Sequence, residues 1–175
     1  YTDANGCSNS ASQNIVVNAL PAVTLDPLAA VCVDATDFAL TGGAPAGGTY
    51  SGTGVSGGSF SPATAGVGSH TITYSYTDVN GFTNSASQSI DVNALQRDTV
   101  HSYIALCVDA AYFVLSGGAP AGGTYSGTGV SGGSFSPSTA GVGTHSITYS
   151  YTDANGCSNS ASQNIVVNAL PAVTL

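Results

Sequence analysis

Residues 117–151 read GGAPAGGTYSGTGVSGGSFSPSTAGVGTHSITYSY, and residues 42–76 carry the same string with a few small substitutions. Working outward, the rest of the chain is the remainder of one unit. Tyr1, Tyr76 and Tyr151 each open a YTD-x-NG segment, so the period is 75 residues, and residues 1–25 are identical to 151–175. Self-similarity at a fixed period marks supersecondary units set in series, and the fold has to be read from the unit. The expected division is 1–18 as the C-terminal strands of a preceding repeat, 19–93 and 94–168 as full repeats, and 169–175 as the start of the next.

Within the unit the clearest strand is residues 70–77. His70, Ile72, Tyr74 and Tyr76 fall on one face and hydroxyl residues on the other, the period of two that a half-buried strand shows. Asn80-Gly81 then reads as a type I′ hairpin turn, both of whose central positions need positive φ. Ala86, Gln88, Ile90 and Val92 alternate on the returning strand, and Ala11, Gln13, Ile15 and Val17 do so in the N-terminal tail. Shorter strands are expected at 22–25, 31–33, 37–41 and 49–51. Residues 59–62 read as a brief edge segment because Pro62 belongs to it. Seven or so short strands in 75 residues, with no helical periodicity, give an all-β chain of tandem antiparallel immunoglobulin-like β-sandwich repeats. The junctions Asn18-Ala19-Leu20-Pro21 and Asn93-Ala94-Leu95-Gln96 are short and lack a Gly/Ser run, so neighbouring units should sit close.

Charged residues are 6% of the chain, against about 25% in ordinary domains. There is no Lys and no Glu; Arg97 stands alone against nine Asp, for a net charge of −8. Without a basic patch the chain cannot neutralise phosphates, which excludes nucleic acid and an anionic membrane surface as partners. No apolar run approaches the roughly 20 residues of a membrane span. A uncharged, hydroxyl-rich surface fits an extracellular setting.

The segments VCVDA, GGAPAGGTYSGTGV, SFSPATAGVGSHTITYSYTD and NGCSNSASQ resemble repeats of very long surface proteins of Bacteroidota, among them the giant adhesins of gliding bacteria exported by the type IX system. The resemblance covers the whole chain. It implies an extracellular, bacterial cell-surface, non-catalytic spacer or adhesive module. It also implies O-glycosylation at Thr99, within the Asp-Ser/Thr-aliphatic pattern Asp98-Thr99-Val100.

The four cysteines follow the period: Cys32 matches Cys107, and Cys7 matches Cys157, with Phe82 at that place in the first full repeat. Pairing within a repeat joins Cys107 to Cys157, leaving Cys32 facing Phe82 and the partner of Cys7 upstream. Pairing between neighbours joins Cys7 to Cys32 and orphans Cys107. Each scheme leaves an orphan, so counting does not decide. The internal bond Cys107–Cys157 is the expected one, because a unit this small has a thin core and closing a loop of about 50 residues stabilises it by about 4 kcal/mol.

Other candidates are weaker. Asp78 and Asn80, with Asp153 and Asn155, lie in D-x-N-G strings that faintly resemble a calcium loop but lack the later bidentate carboxylate, so they read as hairpin turns and no metal is expected. His70 and His145 read as structural. Tyr50 and Tyr125 sit among glycines, where an exposed ring beside hydroxyls is what a pyranose face packs on. No nucleophile elbow occurs, so no catalytic residue and no cofactor is expected. The reading is a stalk or filament segment of a long cell-surface adhesin that holds a distal adhesive region. Its partners are adjacent repeats. The alternative is that each repeat is a weak glycan-binding module acting by avidity on surface glycans or substratum.

Overall fold

A computed structural model describes residues 1–173; the last two residues of the expected 169–175 segment lie outside the described residues. The first repeat contains β1 (Thr24–Leu25), β2 (Val31–Cys32), β3 (Phe38–Ala39), β4 (Gly43–Ala44), β5 (Thr49–Ser51), β6 (Val55–Ser56), β7 (Ser59–Phe60), helix α1 (Pro62–Ala65), β8 (Gly68–Thr77) and β9 (Thr83–Asn93). The second contains β10 (Leu106–Cys107), β11 (Phe113–Val114), β12 (Thr124–Ser126), β13 (Val130–Ser131), β14 (Ser134–Phe135), α2 (Pro137–Ala140), β15 (Gly143–Thr152) and β16 (Ser158–Asn168).

Each repeat is a β-sandwich. One sheet runs β2-β9-β8-β5, the other β3-β7-β6, and β1 pairs with β4; the second repeat repeats this as β10-β16-β15-β12 and β11-β14-β13. A bridge between Thr99 and Ala119 replaces the β1–β4 pair there. The apolar faces meet between the sheets. Leu25, Leu40, Phe60, Ile72, Tyr74, Ile90 and Val92 fill the first core. Leu115, Phe135, Ile147, Ile165 and Val167 fill the second. The alternation read along residues 70–77 is the alternation seen, with Ile72 and Tyr74 buried and Thr71 exposed.

The sandwich departs from the sequence reading in four places. Most pairings are antiparallel, but β2 runs parallel to β9 and β10 to β16. The Ser59–Phe60 strand is the middle strand of its sheet rather than an edge, because the chain leaves the sheet before Pro62, which starts a one-turn helix at a position where its missing N–H costs nothing. The Asn80-Gly81 turn is not type I′, since only glycine has positive φ there. Instead Gly81 N–H donates to Asp78 O at 3.0 Å and Asp78 N–H to Phe82 O at 2.9 Å, a longer turn with Gly81 in the left-handed position. Finally, the strand expected through Ala11, Gln13, Ile15 and Val17 does not form. The tail keeps only a Thr2–Ser8 bridge, and Ile15, Val16 and Val17 are exposed, because no neighbouring strand is placed beside them.

One side chain closes each sandwich. Tyr74 Oη donates to the carbonyl of Pro45 at 2.6 Å and accepts the Gly48 N–H at 2.7 Å, pinning the Gly-Pro turn over its own ring. Tyr149 does the same with Pro120 and Gly123. Tyr149→Phe strands a carbonyl and an N–H in a part-buried turn, a loss of about 1–3 kcal/mol. Denaturant unfolding of the variant should show the midpoint falling accordingly; an unchanged midpoint would mean the turn is held by packing alone.

Candidate functional site

The place where the repeat pattern acquires chemistry is the junction between the two repeats. Asn84 Nδ2 donates to Pro21 O at 2.9 Å, which ties the chain's entry into the first repeat to the start of β9. Cys32 lies opposite Asn93 at the end of β9, where the chain leaves. Entry and exit are therefore separated by an eleven-residue strand, about 33 Å. In the second repeat Asn159 Nδ2 donates to Gln96 O at 2.7 Å, so entry again lies by the turn that precedes the long returning strand.

Cys157 closes that turn. Asp153 Oδ1 accepts the N–H groups of Asn155 and Cys157, both at 2.9 Å, fixing the turn and presenting the sulfur from a buried position. It is bonded to Cys32, with Cα atoms 5.6 Å apart and 125 residues between them in sequence. The disulfide thus joins the exit end of one repeat to the entry-end turn of the next.

This corrects both pairing schemes drawn from the sequence. Cys107 and Cys157 cannot bond: Cys107 pairs beside Asn168 at the end of β16, whereas Cys157 precedes its first residue, about 33 Å away along the strand. Cys7 and Cys32 do not bond either, since Cys32 is taken by Cys157. Cys7 and Cys107 are free and exposed.

The remaining candidates are placed as follows. Asp78 Oδ1 accepts the N–H groups of Asn80 and Phe82, the same turn as at Asp153 and Asn155, and the described residues contain no cluster of three or more His, Cys or Asp side chains arranged to hold a metal. His70 and His145 bond the carbonyls of Gly66 and Gly141 at 2.8 and 2.9 Å, a structural use. Tyr50 and Tyr125 are half-buried, tilted against Tyr74 and Tyr149 with ring centroids 4.8 Å apart, and their hydroxyls accept the N–H groups of Gly43 and Gly118. Tyr50 still lines an open hollow of about 370 Å³ with Gly48, Thr49, Gly57 and Gly58. Thr99 is exposed between buried Asp98 and Val100.

Three features lay outside the sequence reading. Asp98 is buried where the first repeat has Val23; its Oδ2 accepts the Tyr151 N–H at 3.1 Å and its Oδ1 has no partner. Tyr103, in place of Leu28, has a buried hydroxyl without a partner, and burial, with Tyr125 second, pushes its ionisation above the usual tyrosine range. Tyr112, in place of Asp37, is exposed at a hollow of about 360 Å³ with Val130, Ser131, Ser136 and Thr139. The signal was available as a position where one repeat departs from the other. No helix among the described residues is long and apolar enough to cross a membrane.

No family model and no curated protein matches the chain. Similar solved structures include a Ca2+-stabilised adhesin with which an Antarctic bacterium reaches out and binds ice, 14% identical at a TM-score of 0.42 over 85% of this chain and 50% of that one. The insect immune protein hemolin is 14% identical at a TM-score of 0.32, over 87% and 46%. SGBP-B of the Bacteroides ovatus mixed-linkage glucan utilization locus, in complex with a mixed-linkage heptasaccharide, is 17% identical at 0.29, over 87% and 47%. The chain spans about half the length of each.

Two measurements check the junction. Non-reducing peptide mapping should recover Cys32 joined to Cys157, and reduction should lower the melting temperature, the bond being worth up to about 5 kcal/mol in chain-entropy terms. A recovered Cys107–Cys157 peptide would overturn the junction. For Tyr103, a raised folded-state pKa leaves stability unaffected below the unfolded value near 10 and lowers it as pH rises through the folded one. Tyr103→Phe should remove that part of the alkaline loss above about pH 10 and, by deleting an unpaired hydroxyl, should not destabilise at neutral pH.

Proposed function

We propose that the chain is a stalk segment of a long, repetitive cell-surface adhesin, outside the cell, whose work is to span distance and carry a distal adhesive region. The observation that carries this reading is the Cys32–Cys157 bond, which fastens the exit end of one sandwich to the entry turn of the next. A bond in that place adds nothing to a binding face; it resists bending between units. A disulfide also persists in oxidising, extracellular settings. The near-identity of the repeats supports the same reading, since length and stiffness require no unique site. The surface supports it too: cross-strand hydroxyl pairs such as Thr73–Ser87 and Thr148–Ser162 lie on the outer face of the long hairpins. The sequence resembles repeats of Bacteroidota gliding adhesins exported by the type IX system, a resemblance that implies sugar on Thr99 and fits the same reading.

The second reading, that each repeat contacts glycan weakly and the array supplies avidity, rests on the hollow beside Tyr50. Immuno-electron microscopy of native cells with an antibody to the repeat separates the two. Label strung along thin projections is expected; label confined to contact points would overturn the stalk in favour of binding. In that case Tyr50→Ala with Tyr125→Ala should abolish adhesion in a protein that still folds.

A further inference from the structure

The junction bond has two halves, and each half occurs a second time in this chain without a partner. The exit-end half at Cys32 is built by three features: Cys32 opposite Asn93, Val33 N–H donating to Asn93 O at 2.9 Å, and Ala35 N–H donating to Cys32 O at 3.0 Å. Cys107 has the same three: it lies opposite Asn168, Val108 N–H donates to Asn168 O at 2.9 Å, and Ala110 N–H donates to Cys107 O at 3.0 Å. The turn half at Cys157 is built by Asp153, and Asp3 repeats it, accepting the N–H groups of Asn5 and Cys7 at 2.9 Å each. Neither free cysteine is a stray thiol on a surface. Each stands in a backbone setting that, one repeat away, holds a bonded sulfur.

We propose that Cys107 is the exit-end half of a second joint and takes the cysteine of a D-x-N-G-C turn, 125 residues further along a chain that continues in register. This rests on the stalk reading and extends it from one bond to a rule. The residue after the turn glycine decides each joint. Cysteine there, as at Cys157, fastens it; phenylalanine, as at Phe82, which has the same turn hydrogen bonds, leaves it open. The chain therefore encodes fastened and open joints in series through one position per repeat. Bond formation removes two protons and two electrons from the two thiols; a small-molecule disulfide accepts them and leaves as two thiols.

The test lengthens the intact chain by inserting a second copy of residues 94–168 after Asn168. Cys7 and the added copy's own exit-end cysteine are changed to serine, and the product is refolded with oxidised glutathione. Non-reducing peptide mapping should give Cys32 joined to Cys157 and Cys107 joined to the cysteine of the added turn, with no thiol left to label. A Cys32–Cys157 bond alongside a labelled Cys107, or Cys107 joined elsewhere, overturns the rule while leaving the stalk reading intact. Absence of both bonds overturns the joint itself and the stalk reading with it. With phenylalanine in place of the added turn's cysteine, Cys107 should label fully.

Discussion

The Tyr74 hydroxyl, held between the Pro45 carbonyl and the Gly48 N–H, is the interaction on which each unit depends. A repeat of 75 residues with little charge has few large side chains with which to close a sandwich. It closes by laying backbone directly on an aromatic ring. A Cβ at Gly43 would stand 2.6 Å from the Tyr74 ring, and one at Gly48 would stand 2.4 Å from the Ser75 carbonyl. Gly118 and Gly123 repeat the arrangement on Tyr149. These glycines are fixed by contact, not by turn preference, which is a physical reason for the GGAPAGGTY string to be the same in both units.

That constraint also explains what was legible in the sequence. The long hairpins were readable because alternation at His70, Ile72 and Tyr74 is a property of the strand itself. The parallel strand at Val31–Cys32 was not, since two residues carry no direction. The Ser59–Phe60 strand was misplaced to an edge because Pro62 was weighed as part of it. The tail is the sharpest case: residues 1–18 and 151–168 are identical, yet only the second copy forms a long strand. β16 has β15 on one side and β10 on the other, whereas the tail has only Tyr1 and Thr2 of the partner strand. Strand propensity is packing against neighbours, and the same letters lose it when the neighbours are missing.

The cysteines were legible as periodic and illegible as pairs. Counting left two schemes open, and the thin core of a small unit favoured the bond inside one repeat. Neither consideration contains the quantity that decides, the length of β16, which keeps Cys107 and Cys157 at opposite ends of one unit. Asp98 and Tyr103 were passed over for a different reason. They replace Val23 and Leu28 in the segment where the second repeat departs from the first, and each brings a polar atom into apolar surroundings without a full set of partners.

Under tension, the position of the disulfide matters more than its strength. Load enters a repeat near Asn84 and leaves near Asn93, so it runs along β9 and its ladder. Without the bond, the segment between Asn93 and the second sandwich would carry the whole junction. With it, load arriving at the Asp153–Cys157 turn passes directly to β2, which is paired to the end of β9. The bond also spans 125 residues, so unfolding inside that loop cannot lengthen the array. Stretched out, those residues would add about 400 Å. A single cross-link across the joint therefore limits bending and caps extension together, whereas a bond buried inside one sandwich would have done neither for the joint.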